Sequence, residues 1–214
     1  DMANGFAYFG TNTSPGRVAK IRVAIAPTLS EVAGSILSAT SGSIYFVRTG
    51  NMFDDSALGF IYGKCNNPPQ NIVIQTDATK VNQATGAPLF TGNMVLFGGY
   101  VASKIVNYYE GLGYALITFS MDATHYMFMT GSTPVYSVAK STYDYNKADY
   151  FVLQIYKAGS RTVFSMWGIA HTGTYAGGVY FADMVYPNLT GYAEGYYICK
   201  WTDTNNDGIQ QSDE

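Results

Sequence analysis

The chain has 214 residues, 47% of them apolar and 13% charged, with 19 tyrosines and a formal net charge of −3. That length can bury a sizeable core in one domain, and a charged fraction well below the roughly 25% usual in soluble proteins leaves Tyr, Ser, Thr, Asn and Gly to cover the surface. A weakly acidic chain offers no basic face to nucleic acid, and no apolar run approaches the ~18 residues that span a bilayer.

Residues 1–16, rich in Gly, Asn, Thr and Pro, read as an irregular lead-in. Val18, Ile21, Val23 and Ile25 alternate around Arg22 and predict a strand over 17–26, ended by Pro27. Thr28 and Glu31 match a capping box, with Leu29, Val32 and Ile36 as the buried stripe of a helix reaching about residue 39. Strands are expected over 44–48 and 58–64, with Asp54-Asp55-Ser56 as turn material between them. The run Asn66-Asn67-Pro68-Pro69 is a break and the best place for a domain division, if the chain has one. Residues 71–76 predict a strand, and 77–92 a long connection.

Residues 93–110 organise the rest. Met94 to Phe97 form a short apolar strand, Gly98-Gly99 a turn, and Val101, Ile105 and Tyr108, widened by Ala102, Val106 and Tyr109, an amphipathic helix. A strand that feeds a helix through two glycines is an α/β signature. Strands follow over 114–121 and 125–129. Residues 148–157 and 161–169 predict the strongest hairpin, turning at Ala158-Gly159-Ser160. A last helix is expected over 174–186, packed tightly where Gly177-Gly178 would otherwise weaken it by about 1 kcal/mol each, and a last strand over 195–201. The expected fold is α/β, a mixed sheet with about three helices packed on it, with α+β as the variant. One domain is expected over 1–202.

The most specific motif is C-terminal. Asp203, Asn205, Asp207, Gly208, Ile209, Gln211 and Glu214 fit the twelve-residue calcium loop D-x-[DN]-x-[DN]-G-x5-E. Asp203, Asn205 and Asp207 would give side-chain oxygens, Gly208 the sharp turn, Ile209 its carbonyl, Gln211 a water-mediated contact and Glu214 a bidentate carboxylate. The preceding YYICKWTD reads as strand, so this is not a helix-loop-helix hand, and a longer protein is expected beyond Glu214. The plain alternative is a solvated Asn/Asp-rich tail.

Asn12 and Asn188 open glycosylation sequons. Cys65 and Cys199 fit no zinc or C-x-x-C spacing. Either they form a disulfide closing a long loop, worth about 4–5 kcal/mol in the chain-entropy picture, or they are unrelated thiols, one of them in the core. Cys199 shares a strand face with Tyr197 and Trp201. No catalytic constellation stands out. Gly98-Gly99 matches no phosphate-binding motif and reads as packing. Ser120, Asp122 and His125 supply triad residue types without a nucleophile motif. His171 reads as a loop residue, and Asp54-Asp55 and Asp144-Asp149 read as solvated turns. The tyrosine pairs at 108–109, 143–145 and 196–197 suit packing, sugar stacking or a subunit contact.

The runs VLFGGYVASKIVNYY, ADYFVLQIYKAGSRTVFSMWGIAHTGTYAGGVYFADMVYPNL and YYICKWTDTNNDGIQQSDE resemble surface-layer-type proteins of hyperthermophilic archaea over roughly residues 71–214. Tyr100 and Ser103 stand where that group carries proline and asparagine. The resemblance implies an exported glycoprotein that forms arrays or attachments at the cell surface, and it carries over no catalytic residue. The leading expectation is therefore a non-enzymatic extracellular structural protein that self-associates or meets other surface proteins, with calcium at its C-terminal loop. The alternative is a carbohydrate- or protein-binding module appended to a larger secreted enzyme.

Overall fold

A computed structural model describes residues 27–39, 43–67, 71–205, 208 and 210 and, as backbone alone, 2–3, 6–10 and 18–22. Strands β1 (Met2–Ala3), β2 (Phe6–Gly10) and β3 (Val18–Arg22) form a separate antiparallel sheet. A 3-10 turn (Leu29–Glu31) and a π-helical turn (Ala33–Leu37) lead into β4 (Ile44–Arg48), α1 (Met52–Tyr62), β5 (Asn71–Ile74), β6 (Asn93–Phe97) and α2 (Lys104–Gly111). The meander β7 (Thr118–Met121), β8 (His125–Thr130) and β9 (Thr133–Ala139) precedes β10 (Ala148–Ala158), β11 (Arg161–Gly168), α3 (His171–Tyr180) and β12 (Tyr196–Thr202).

The fold is α/β. Its central sheet has six strands in the order β12-β10-β11-β6-β4-β5, with β10 alone opposed to the others. Strand alternation sorts the core onto its two faces. Phe46, Val95, Phe97, Phe151, Leu153, Phe164 and Met166 meet α1 and α3 on one face. Val47, Met94, Leu96, Val152, Tyr156, Val163 and Trp167 meet α2 and the β7-β9 meander on the other. Gln154, fully buried, ties the layers together. Its Oε1 accepts from the Leu116 and Ile117 N–H groups, both at 3.0 Å, and its Nε2 donates to the Ile117 carbonyl at 3.0 Å.

The predicted hairpin forms, and Leu29, Val32 and Ile36 are buried behind a capping box in which the Thr28 N–H donates to Glu31 Oε1 at 3.1 Å. Three expectations fail. The lead-in over 1–16 is not irregular where it is described, because 2–3 and 6–10 are strands. Residues 58–64 are not a strand, and Asp54-Asp55-Ser56 is not a turn; 54–56 and 58–62 belong to α1, and 63–64 form the turn after it. Asn51 caps that helix, its Oδ1 accepting from the Phe53 N–H at 2.9 Å, while Asp54 and Asp55 face the positive end of the dipole and Ala57, Leu58 and Ile61 form the buried stripe. The central helix also starts later than expected. Ser103 is its N-cap, and Val101 is 81% exposed. The glycines of α3 pack as expected: a Cβ on Gly178 would lie 2.8 Å from Ala57 Cα in α1.

Candidate functional site

Strands β4, β6 and β11 run parallel and end at one edge of the sheet. The chain leaves β4 for β5 on one side and later enters β6 on the other, so β4 and β6 bracket a topological switch point, where open α/β sheets hold ligands. A cavity of about 270 Å³ lies there. Asn51 and Asp54 come from the start of α1, Gly98 to Ala102 from the loop after β6, and Trp167 to Thr174 from the end of β11 and the start of α3.

The glycine turn shapes its floor. Gly98 has φ +76°, and a Cβ there would meet Asp54 Oδ2 at 2.6 Å. Asp54 is 3% exposed and accepts from Thr49 Oγ1 at 2.9 Å. Burial pushes its carboxyl above the ordinary range, against hydrogen bonds from Thr49 and Thr174 that favour the charge. Gln75 braces the rim: its Nε2 donates to the carbonyls of Thr49 (2.9 Å) and Ala102 (2.8 Å), and its Oε1 accepts from the Lys104 N–H at 2.9 Å. On the far wall Tyr100 stacks on Phe119 (5.6 Å), which stands edge-on to Trp167 (6.1 Å). The Trp167 indole N–H is buried with no partner among the described residues. The His171 ring lies 4.2 Å from Phe53 and 5.4 Å from Tyr145, so it is the first residue of α3 rather than a loop residue.

Asp149 is the second correction among the acids. It is not a solvated turn but a fully buried hub. It accepts from Tyr143 Oη (2.7 Å), the Tyr150 N–H (2.7 Å), the Ala170 N–H (3.1 Å), Thr172 Oγ1 (2.8 Å) and the Gly173 N–H (2.6 Å). Burial raises its carboxyl, and the donors, all of which favour the charge, oppose that. The result is a carboxylate that caps α3 and pins it to β10. Asp122 does similar work at the surface. Its Oδ1 accepts from the N–H groups of Thr124 (2.6 Å) and His125 (2.7 Å), which closes the β7-β8 turn and holds its carboxyl below the usual range. Asp122, Thr124 and His125 therefore form a hairpin clasp, and Ser120 lies apart from it on β7, paired with Met127.

At the C-terminal motif the described residues are Asp203, Thr204, Asn205, Gly208 and Gln210; Asp207, Ile209, Gln211 and Glu214 lie outside them, as does Asn12. The Gly208 N–H donates to Asp203 Oδ2 at 2.9 Å, and Gly208 has φ +73°. That hydrogen bond links the first acid of the motif to its glycine. The Asp203 N–H is anchored on the Lys147 carbonyl at 2.8 Å. Asn188 is exposed on a 3-10 segment (Tyr186–Gly191).

The expected disulfide is not formed. Cys65 and Cys199 are free thiols, each partly buried against the α1/α3 face of the core. Cys65 follows α1 and its Sγ donates to the Ile61 carbonyl at 3.6 Å, while Cys199 sits on the β12 edge opposite Phe151. Burial pushes both thiols up to about 11. A second concavity, about 540 Å³, lies between β9 and β12 and is lined by Tyr136, Tyr150, Tyr196 and Tyr197 with Glu194 and Lys200. The sequence matches no family model and none of the curated proteins compared with it.

Proposed function

We propose that this chain is an extracellular structural domain of surface-layer type, which joins neighbours through the open edges of its central sheet and is stabilised by calcium at residues 203–214. The observation that carries this reading is the β5 edge. Among the described residues β5 has a partner strand on one side only; it carries no charged residue and leaves Ile72 and Ile74 48% and 42% exposed. Proteins that stay apart blunt such edges with lysine, proline or a bulge. Left open, it offers a ladder to a second chain. β12, which carries Lys200, forms the opposite edge among the described residues, and a sheet with two edges can pass contacts head to tail, as an array requires.

The acids support the same reading. Asp149 is spent on capping α3, and His171 is wedged between aromatic rings. The low charge of the surface and the exposed Asn188 sequon support an extracellular setting. Among the described residues no helix is long and apolar enough to cross a membrane.

A second reading, a carbohydrate-binding module, draws on the tyrosine groove between β9 and β12, since tyrosine rings stack on sugar faces while Glu194 and Lys200 supply polar contacts. Glycan-array binding that is lost in Tyr136→Ala and Tyr196→Ala would favour it. The structural reading is tested by sedimentation with and without calcium, together with an Ile72→Lys/Ile74→Lys double variant. That variant is expected to stay folded and lose the larger species. Unchanged assembly in the variant would refute the β5 edge as the contact.

A further inference from the structure

We infer that the cavity at the carboxyl edge of the parallel strands binds a small organic cation, a primary ammonium on a short hydrocarbon stem, with its charge at Asp54 and its stem along Phe119 and Trp167. The inference is independent of how the chain assembles.

Charge is the first ground. Asp54 is the carboxylate of the lining, and the lining contains no lysine or arginine. Two helix N-termini reach this edge, and elsewhere they would draw an anion. Here they are already engaged: Asn51 caps α1, and Asp149 takes the Ala170 and Gly173 N–H groups of α3. An entering anion would face the buried Asp54 carboxyl, whereas a cation neutralises it.

The wall is the second ground. Tyr100, Phe119 and Trp167 form a continuous aromatic surface, and aromatic faces attract cations within about 6 Å of the ring. Size is the third. About 270 Å³ lies just below the roughly 300–1,000 Å³ of ligand pockets generally, which selects a small guest.

The test uses n-butylammonium as probe, with n-butanol as its neutral analogue and butyrate as its anionic one. Heat of binding is read by titration calorimetry. Tryptophan emission is read in Trp201→Phe, which leaves Trp167 as the reporter, because the chain has two tryptophans. The expected result is saturable binding of n-butylammonium with a shift in Trp167 emission, and binding of butanol at least about tenfold weaker. Asp54→Asn, which keeps an acceptor for Thr49, should lower butylammonium affinity at least about tenfold. Phe119→Leu, which removes a ring along the stem, should lower the affinity of butylammonium and butanol alike by about two- to fivefold.

Nα-acetyl-lysine methylamide separates the sources of the ammonium: binding equal to butylammonium assigns a lysine side chain, and exclusion assigns a free amine. The inference is overturned if folded protein binds no amine, if butyrate binds as well as butylammonium through the unpartnered Trp167 N–H, or if folded Asp54→Asn binds like the parent. Should Asp54→Asn fail to fold, the Phe119→Leu and butanol comparisons decide.

Discussion

Replacing Glu110 by glutamine should flatten the pH dependence of stability. Glu110 ends α2 beneath the sheet. The Phe119 N–H donates to its carboxyl group, Oε1 is buried without a partner among the described residues, and fully buried Tyr156 stands beside it. Burial raises this carboxyl from its ordinary 4.5 to about 8. An acid raised on folding favours the folded state only while protonated. Its contribution is complete below pH 4.5 and is lost progressively as pH rises to about 8. The slope is about 1.4 kcal/mol per pH unit over that interval, which sets an upper bound of about 5 kcal/mol. Relaxation and water entry around the new charge reduce this to about 2 kcal/mol. Glu110→Gln keeps an acceptor for Phe119 and removes the titration. Urea unfolding at pH 4.5, 6.5 and 8.5 should therefore give matched stabilities at the lowest pH and a variant about 2 kcal/mol more stable at the highest. Parallel profiles for the two proteins would refute the reasoning.

Two glycine-to-alanine changes should have opposite signs. Gly59→Ala lies in α1, where an added Cβ meets nothing within 4 Å, and should stabilise by about 1 kcal/mol through helix propensity. Gly178→Ala forces α3 away from the Ala57 backbone and should cost about 1–3 kcal/mol, read as a fall in thermal midpoint. Asp149→Asn sets an NH₂ group against N–H and O–H donors. It should cost about 2–4 kcal/mol and speed hydrogen exchange at Ala170 and Gly173; unchanged exchange there would show that Asp149 does not cap α3.

What was legible in the sequence follows periodicity. The alternation in β10 separates Tyr150, Val152 and Gln154 from Phe151, Leu153 and Ile155, and each set packs against a different layer. The apolar quartet of β6 and the two glycines located the centre of the sheet. Periodicity misled where a helix is short and mostly buried. Leu58 to Tyr62 is apolar enough to pass for a strand, and only the N-cap Asn51, followed by Asp54 and Asp55, marks α1. β9 was missed because its exposed run, Thr133 to Ser137, has little apolar alternation; Gly131, with φ +58°, was the available signal. The cavity was not legible. Gln75, Asp54 and Asp149 look like ordinary polar residues in loops, and only tertiary packing turns them into buried braces. The C-terminal D-x-N-x-D-G pattern is legible in the sequence because it lies within twelve residues of chain, and most of it lies outside the described residues.

Sedimentation velocity of the chain in millimolar calcium and then in excess chelator tests the central claim most directly. A surface-layer domain joined through its sheet edges and stabilised at Asp203–Glu214 should form larger species in calcium that dissociate in chelator. A single monomeric boundary under both conditions would contradict it.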